Sequence, residues 1–267
     1  MSGRRGFTLI ETMIALALGL AVCALALKLL MGQQRLARLE AARVETQLTL
    51  HAALTYLVRE LRPVGAGPDL IEMGSDAMTF RATRGFALAC DVSGSALLIR
   101  VQDRYGTRMP VPGRDSMLLY WAGDSATRDD DRWLPLPIAG VGQGTGCGGV
   151  PVVILSTVWD SAGGIPGGLR FPAPLRIYEI LQVRAYQSDG RTWLGARSVS
   201  AGEVIQPAFG PLADAGLRFD FLDPQGRMTL DRDRVRSIGI TVSAVGTLAT
   251  ARDSLTTRVL LRNSPAR

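Results

Sequence analysis

Residues 7–31 form a nearly unbroken apolar run, and no other feature restricts this chain so severely. From Phe7 to Met31 only Thr8, Glu11, Thr12, Gly19 and Lys28 interrupt it. As a helix at ~1.5 Å per residue it spans roughly 37 Å, enough for a bilayer core of ~30 Å. Arg4 and Arg5 precede it as a short basic patch. A secretory signal peptide is one reading, with Ala24-Leu25-Ala26 as a weak cleavage site. A lipoprotein signal on Cys23 is another, although Val22 is bulky for the position before a lipidated cysteine. Glu11 has no purpose in either. An acidic side chain inside the span costs on the order of 3 kcal/mol or less on insertion scales, so its presence needs a reason.

The segment Gly6-Phe7-Thr8-Leu9-Ile10-Glu11 supplies one. It closely resembles the recognition motif of prepilin peptidase in type IV pilins and type II secretion pseudopilins. That motif is a short basic leader ending in Gly, then Phe, three residues, Glu and an apolar helix. The resemblance implies cleavage between Gly6 and Phe7, N-methylation of Phe7, and retention of the helix as a membrane anchor. It also implies that Glu11 meets the amine of a neighbouring subunit's Phe7 and so fixes axial register. An ion pair in a low-dielectric bundle is strongly preferred over two lone charges.

The helix is predicted to continue past the membrane. Residues 33–62 contain no proline or glycine, and strong helix formers dominate. Leu50, Leu54, Leu57 and Leu61 recur every three or four residues and make one apolar face, with Arg59, Glu60 and Arg62 expected on the others. That stripe is too short for a sustained coiled coil and is expected to dock on the chain's own sheet. Pro63 ends the run, giving a rod of roughly 80 Å.

Beyond Pro63 short apolar stretches alternate with Gly, Pro, Asp and Ser, as in a turn-rich β domain. Candidate strands are 77–82, 96–102, 116–121, 152–158, 176–186, 192–198, 217–222, 236–244 and 255–262. Residues 217–222 and 238–242 alternate cleanly between apolar and polar. Residues 223–226 read as a turn, and 136–149 as a flexible loop tethered by Cys147. Cys90 and Cys147 lie in the polar part of an otherwise cysteine-poor chain, so one disulfide in an exported head is expected. The expected fold is therefore α+β and pilin-like: leader 1–6, helix 7–62 with 7–31 transmembrane, and a β-rich head over 63–267.

Other chemistries find little support. A net charge of +6 raises nucleic acid, but apart from Arg4 and Arg5 the basic residues are scattered singly. His51, the only histidine, sits on the rod and reads as a polar surface residue. No nucleophile elbow is present, and 142–146 lacks the Lys-Ser/Thr of a phosphate loop. Asp129-Asp130-Asp131 and Asp231-Arg-Asp233 read as solvated turns, not calcium loops. No enzyme, metal or cofactor is expected.

Within the pilin-like proteins, Leu57–Gly67, Tyr186, Gly190, Trp193-Leu194, 217–221, 235–242 and 256–263 are similar to PilW-type minor pilins and, next, J-type minor pseudopilins. Lys28 stands where major pilins often carry proline, so no kink is expected. The resemblance implies a single-pass inner-membrane protein with a periplasmic head, later part of a filament, with a tip position favoured. Its implied partners are prepilin peptidase, other minor and major pilins, the inner-membrane assembly platform and lipid. Arg4 and Arg5 oppose Lys28, Arg35, Arg38 and Arg43, so the cysteine pair and the motif carry the orientation.

Overall fold

The computed structural model describes residues 8–93, 98–123, 131–158, 169–246 and 252–262. A single helix, α1 (Leu9–Leu61, 53 residues), precedes all strands. At ~1.5 Å per residue it is about 80 Å long. Arg62 bonds back to the Val58 carbonyl at 2.9 Å. Pro63, without an N–H, cannot extend that ladder, and the chain turns there. The turn needs Gly67, which has φ +77° and donates to the Arg232 carbonyl at 2.8 Å. A Cβ there would lie 2.5 Å from Asp233 Oδ1.

The remainder is antiparallel sheet. Its strands are β1 (Leu70–Met73), β2 (Ala77–Ser93), β3 (Leu98–Gly106), β4 (Ser116–Trp121), β5 (Arg132–Pro137) and β6 (Gly140–Thr145). They continue as β7 (Pro151–Ser156), β8 (Ala173–Ser188), β9 (Arg191–Ser198), β10 (Gln206–Leu222), β11 (Ser237–Val245) and β12 (Arg252–Leu260). The spatial order is β12-β11-β10-β9-β8-β2-β3-β7-β6, with β1 on β2 and the β4–β5 hairpin on β8. All nine expected strands are present. β2, β8 and β10 run well past their expected limits, β10 beginning eleven residues early at Gln206.

Residues 136–149 are not the flexible loop expected from their glycines. They hold the end of β5, all of β6 paired with β7, and a short 3-10 turn at Cys147–Gly149. That turn is tied to β2 by the Cys90–Cys147 disulfide, with Cα atoms 6.0 Å apart. β1 and β5 were also not expected: β1 is four residues long, and β5 contains Pro135 and Pro137, tolerated because it is an edge.

Two cores follow from the long strands β2 and β8. The first packs Leu50, Leu54, Leu57 and Leu61 of α1 against Phe80, Phe219, Ile240 and their neighbours on the sheet. The second lies between β3, β4, β7 and the far halves of β2 and β8, centred on Ile99, Met117, Leu119 and Leu155. The leucine stripe thus docks on the chain's own sheet. At about 2 kcal/mol per buried leucine, the stripe provides much of the attraction between rod and head. Leu57→Ala is expected to lower stability by about 3 kcal/mol, whereas exposed Leu48→Ala changes it by less than about 0.5 kcal/mol. Denaturant unfolding of the two variants checks the contrast.

Candidate functional site

The part of the molecule that most plainly lacks a partner is the first three-fifths of α1. Every residue from Thr8 to Arg38 is exposed, and burial begins in earnest only at Ala42. Leu9 is 80% exposed and Leu29 68%. The apolar side chains of this stretch surround the helix instead of forming one stripe, which suits a lipid or helix-bundle environment and not water. By length and composition the helix can cross a membrane. Cys23 carries an exposed free thiol there.

The first turn is fixed by Thr8 and Glu11. Thr8 is the N-cap, with extended backbone at φ −76° and ψ 154°. Glu11 Oε2 accepts from the Thr8 N–H at 2.9 Å and from the Thr8 hydroxyl at 3.0 Å. The Glu11 N–H in turn donates to Thr8 Oγ1 at 3.4 Å. This reciprocal capping box satisfies two otherwise orphaned donors. The carboxylate also sits at the positive end of the helix dipole. Among the described residues Thr8 is its only partner, and Oε1 accepts nothing. Thr8 had no assigned role in the sequence reading, although the Thr-x-x-Glu spacing carries the signal. Gly6 and Phe7 lie outside the described residues.

At the other end of the rod a buried ion network locks helix to sheet. Glu60, expected on a solvated face, is instead buried at 6% exposure. Its Oε2 accepts from Arg84 Nη1 at 2.6 Å. Arg84 Nε donates to Glu179 on β8, which also accepts from Arg114 at 2.6 Å and the Ser198 hydroxyl at 3.0 Å. A bulge between Thr83 and Gly85 on β2 inserts Arg84 at this point. Burial pushes the Glu179 carboxyl up, but the hydrogen bonds and charges of Arg114 and Arg84 outweigh it, and its pKa is lowered. Burial and nearby Glu60 push the Tyr56 phenol up to about 12. A second lock follows the helix: Asp69 Oδ2 accepts from the Gly65 N–H at 2.8 Å and from Arg176 of β8 at 2.7 Å.

The remaining residues singled out by sequence do not join a site. His51 is exposed on α1. Asp231 caps its own turn by accepting from the Asp233 N–H at 3.0 Å, and Asp129 and Asp130 lie outside the described residues. Gly142 and Gly144 belong to β6.

Residues 1–27 match the family model of the prokaryotic N-terminal methylation motif. The chain has a type IV pilin-like N-terminus. That match and the bare apolar helix support membrane anchoring by a pilin-like protein. No curated protein matches the chain, and no solved structure does. The pilin-like α+β arrangement, one long apolar N-terminal helix on a large antiparallel head, therefore rests on this structure itself.

The ion network makes a pH prediction. The unfolded chain takes up a proton at Glu179 near the ordinary value of 4.5, before the folded state does. The stabilisation is therefore fully present above pH 4.5 and lost as pH falls through the lower folded-state value. Glu179→Gln should cost about 3 kcal/mol at neutral pH and flatten the acid limb of the stability profile. Denaturant midpoints between pH 3 and 7 measure both effects.

Proposed function

We propose that the chain is a minor pilin-like structural subunit of the PilW type, acting in the assembly or priming of a type IV pilus. The observation that carries this reading is the methylation-motif match over residues 1–27, continuous with an apolar helix that no other described residue covers. In this reading prepilin peptidase cuts between Gly6 and Phe7 at the cytoplasmic face and methylates the Phe7 amine. The helix over 7–31 then holds the subunit in the inner membrane with the head in the periplasm. Extraction into a filament exchanges lipid for the helices of other minor and major pilins. In this reading the subunit is a low-copy one that joins other minor pilins near the filament tip.

Glu11 is the assembly residue. Among the described residues its Oε1 accepts nothing while Oε2 is held by Thr8, so it can accept the cationic amine of a neighbour without dismantling its own helix cap. In a low-dielectric bundle that pair is favoured only at one axial offset, and this sets register. The role is structural and requires no catalytic group, metal or cofactor.

A J-type minor pseudopilin of type II secretion shares every one of these features, and the deletion phenotype separates the two. N-terminal mass analysis of the mature protein tests the common reading: the expected N-terminus is methylated Phe7, with residues 1–6 absent. Lipid on Cys23 or a retained Met1 in a host with active peptidase would overturn it. Glu11→Val is expected to leave cleavage intact and to reduce surface filaments severely, scored by electron microscopy. Gly6→Ala should be nearly harmless, whereas a bulky residue at position 6 should leave uncut precursor on a gel.

A further inference from the structure

Among the described residues the sheet ends in four edges, and three of them are blunted. β1 is only four residues long, β5 carries Pro135 and Pro137, and β6 has glycine at three of its six positions. Short strands and prolines are the usual devices that stop an edge from templating another chain, and glycine weakens a strand. β12 has none of these. Its nine residues contain no proline, glycine or lysine and pair with β11 without a bulge.

The direction of its free groups follows from the ladder. Leu261 N–H donates to the Arg236 carbonyl at 3.0 Å, so odd-numbered residues of β12 face β11. The backbone groups of Ser254, Thr256, Arg258 and Leu260 consequently point away from the sheet. Ser254 N–H is taken by Asp253 Oδ1 at 2.8 Å. The N–H groups of Thr256, Arg258 and Leu260 find no acceptor among the described residues. Their side chains share the face opposite α1, with Leu260 69% exposed.

We propose that β12 accepts an extended strand of a different polypeptide, which carries a carboxylate opposite Arg258 and an apolar side chain opposite Leu260. Backbone bonds to the three free amides supply the attachment, and the side chains opposite Arg258 and Leu260 supply the choice of partner. A second copy of this chain fits poorly. In antiparallel pairing opposed residues share a face, so Arg258 could meet Arg252, Ser254, Thr256, Arg258 or Leu260 of the copy, none of which offers it a carboxylate. Asp253, the only acid of β12, is on the other face. The inference stands on the sheet alone and does not depend on how the N-terminus is processed.

The probes are two synthetic peptides of alternating Thr and Val, carrying Glu and Leu two positions apart, or Lys in place of that Glu. Added to the full chain in detergent micelles, the Glu peptide should slow hydrogen exchange at Thr256, Arg258 and Leu260. It should bind about five- to tenfold more tightly than the Lys peptide. Arg258→Glu should reverse that preference, and Thr256→Pro should abolish binding with only the small fall in thermal midpoint expected from losing the exposed Thr241–Thr256 hydroxyl contact. Unchanged exchange with both peptides would overturn the proposal, as would full binding by Arg258→Glu with its preference intact. Protection of these three amides that grows with protein concentration alone would replace the foreign strand with self-pairing and equally overturn it.

Discussion

One helix has to satisfy two solvents, and the rest of the structure is arranged around that demand. Its first thirty residues are exposed, and those up to Met31 are apolar on nearly every side, while its last twelve bury leucines on a sheet. Nothing interrupts α1 between the two regimes: Gly19 and Gly32 are both inside it, with open space around them. A continuous helix is stiff over this length. The head is therefore held at a set height and azimuth relative to Glu11, and a register chosen at the first turn is also chosen for the head.

Such coupling is useful only if the helix cannot slide on the sheet. A leucine stripe repeating every three or four residues resembles itself after a one-turn shift, so apolar packing alone specifies the docking weakly. The Glu60–Arg84–Glu179 network removes that ambiguity. A shift of α1 would part Glu60 from Arg84 and leave the buried carboxylate only its longer contact, at 3.4 Å, with largely exposed Arg59 on the same helix. Asp69 does the same for the turn after Pro63 by holding Gly65 to Arg176. The buried charges matter here less for net stability than for excluding the wrong alignment.

The rod and its stripe were legible in the sequence because helix formers, a 3.6-residue period and Pro63 all report locally. So were β4, β9 and β11, where β-rich or alternating residues are bounded by turns. β5 and β6 were illegible because proline and glycine signal turns unless the strand is an edge or is held by a covalent tie, and neither condition is local. The early half of β10, through Pro207, Gly210 and Pro211, failed for the same reason; its pairing with β9 slips twice to accommodate them. Glu60 shows the limit most clearly. Its neighbours Arg59 and Arg62 mark a solvated face, and only a bulge on β2, 24 residues away, brings the guanidinium that buries it.

The same geometry gives the unguarded edge its place in the molecule. α1 packs chiefly over β11 and β12, so the free edge of β12 lies beside the docked half of the rod and not across the head from it. The prolines of β5 and the glycines of β6 belong to strands at the opposite, disulfide-bearing end of the sheet. A subunit gathered by its helix into a bundle would bring a neighbour toward the β12 side first. Proline and glycine are thus absent from the edge where helix packing would supply a companion, which carries only the charges of Arg252, Asp253 and Arg258, and present where the head would otherwise meet strangers, which is the distribution expected if both surfaces serve one assembly.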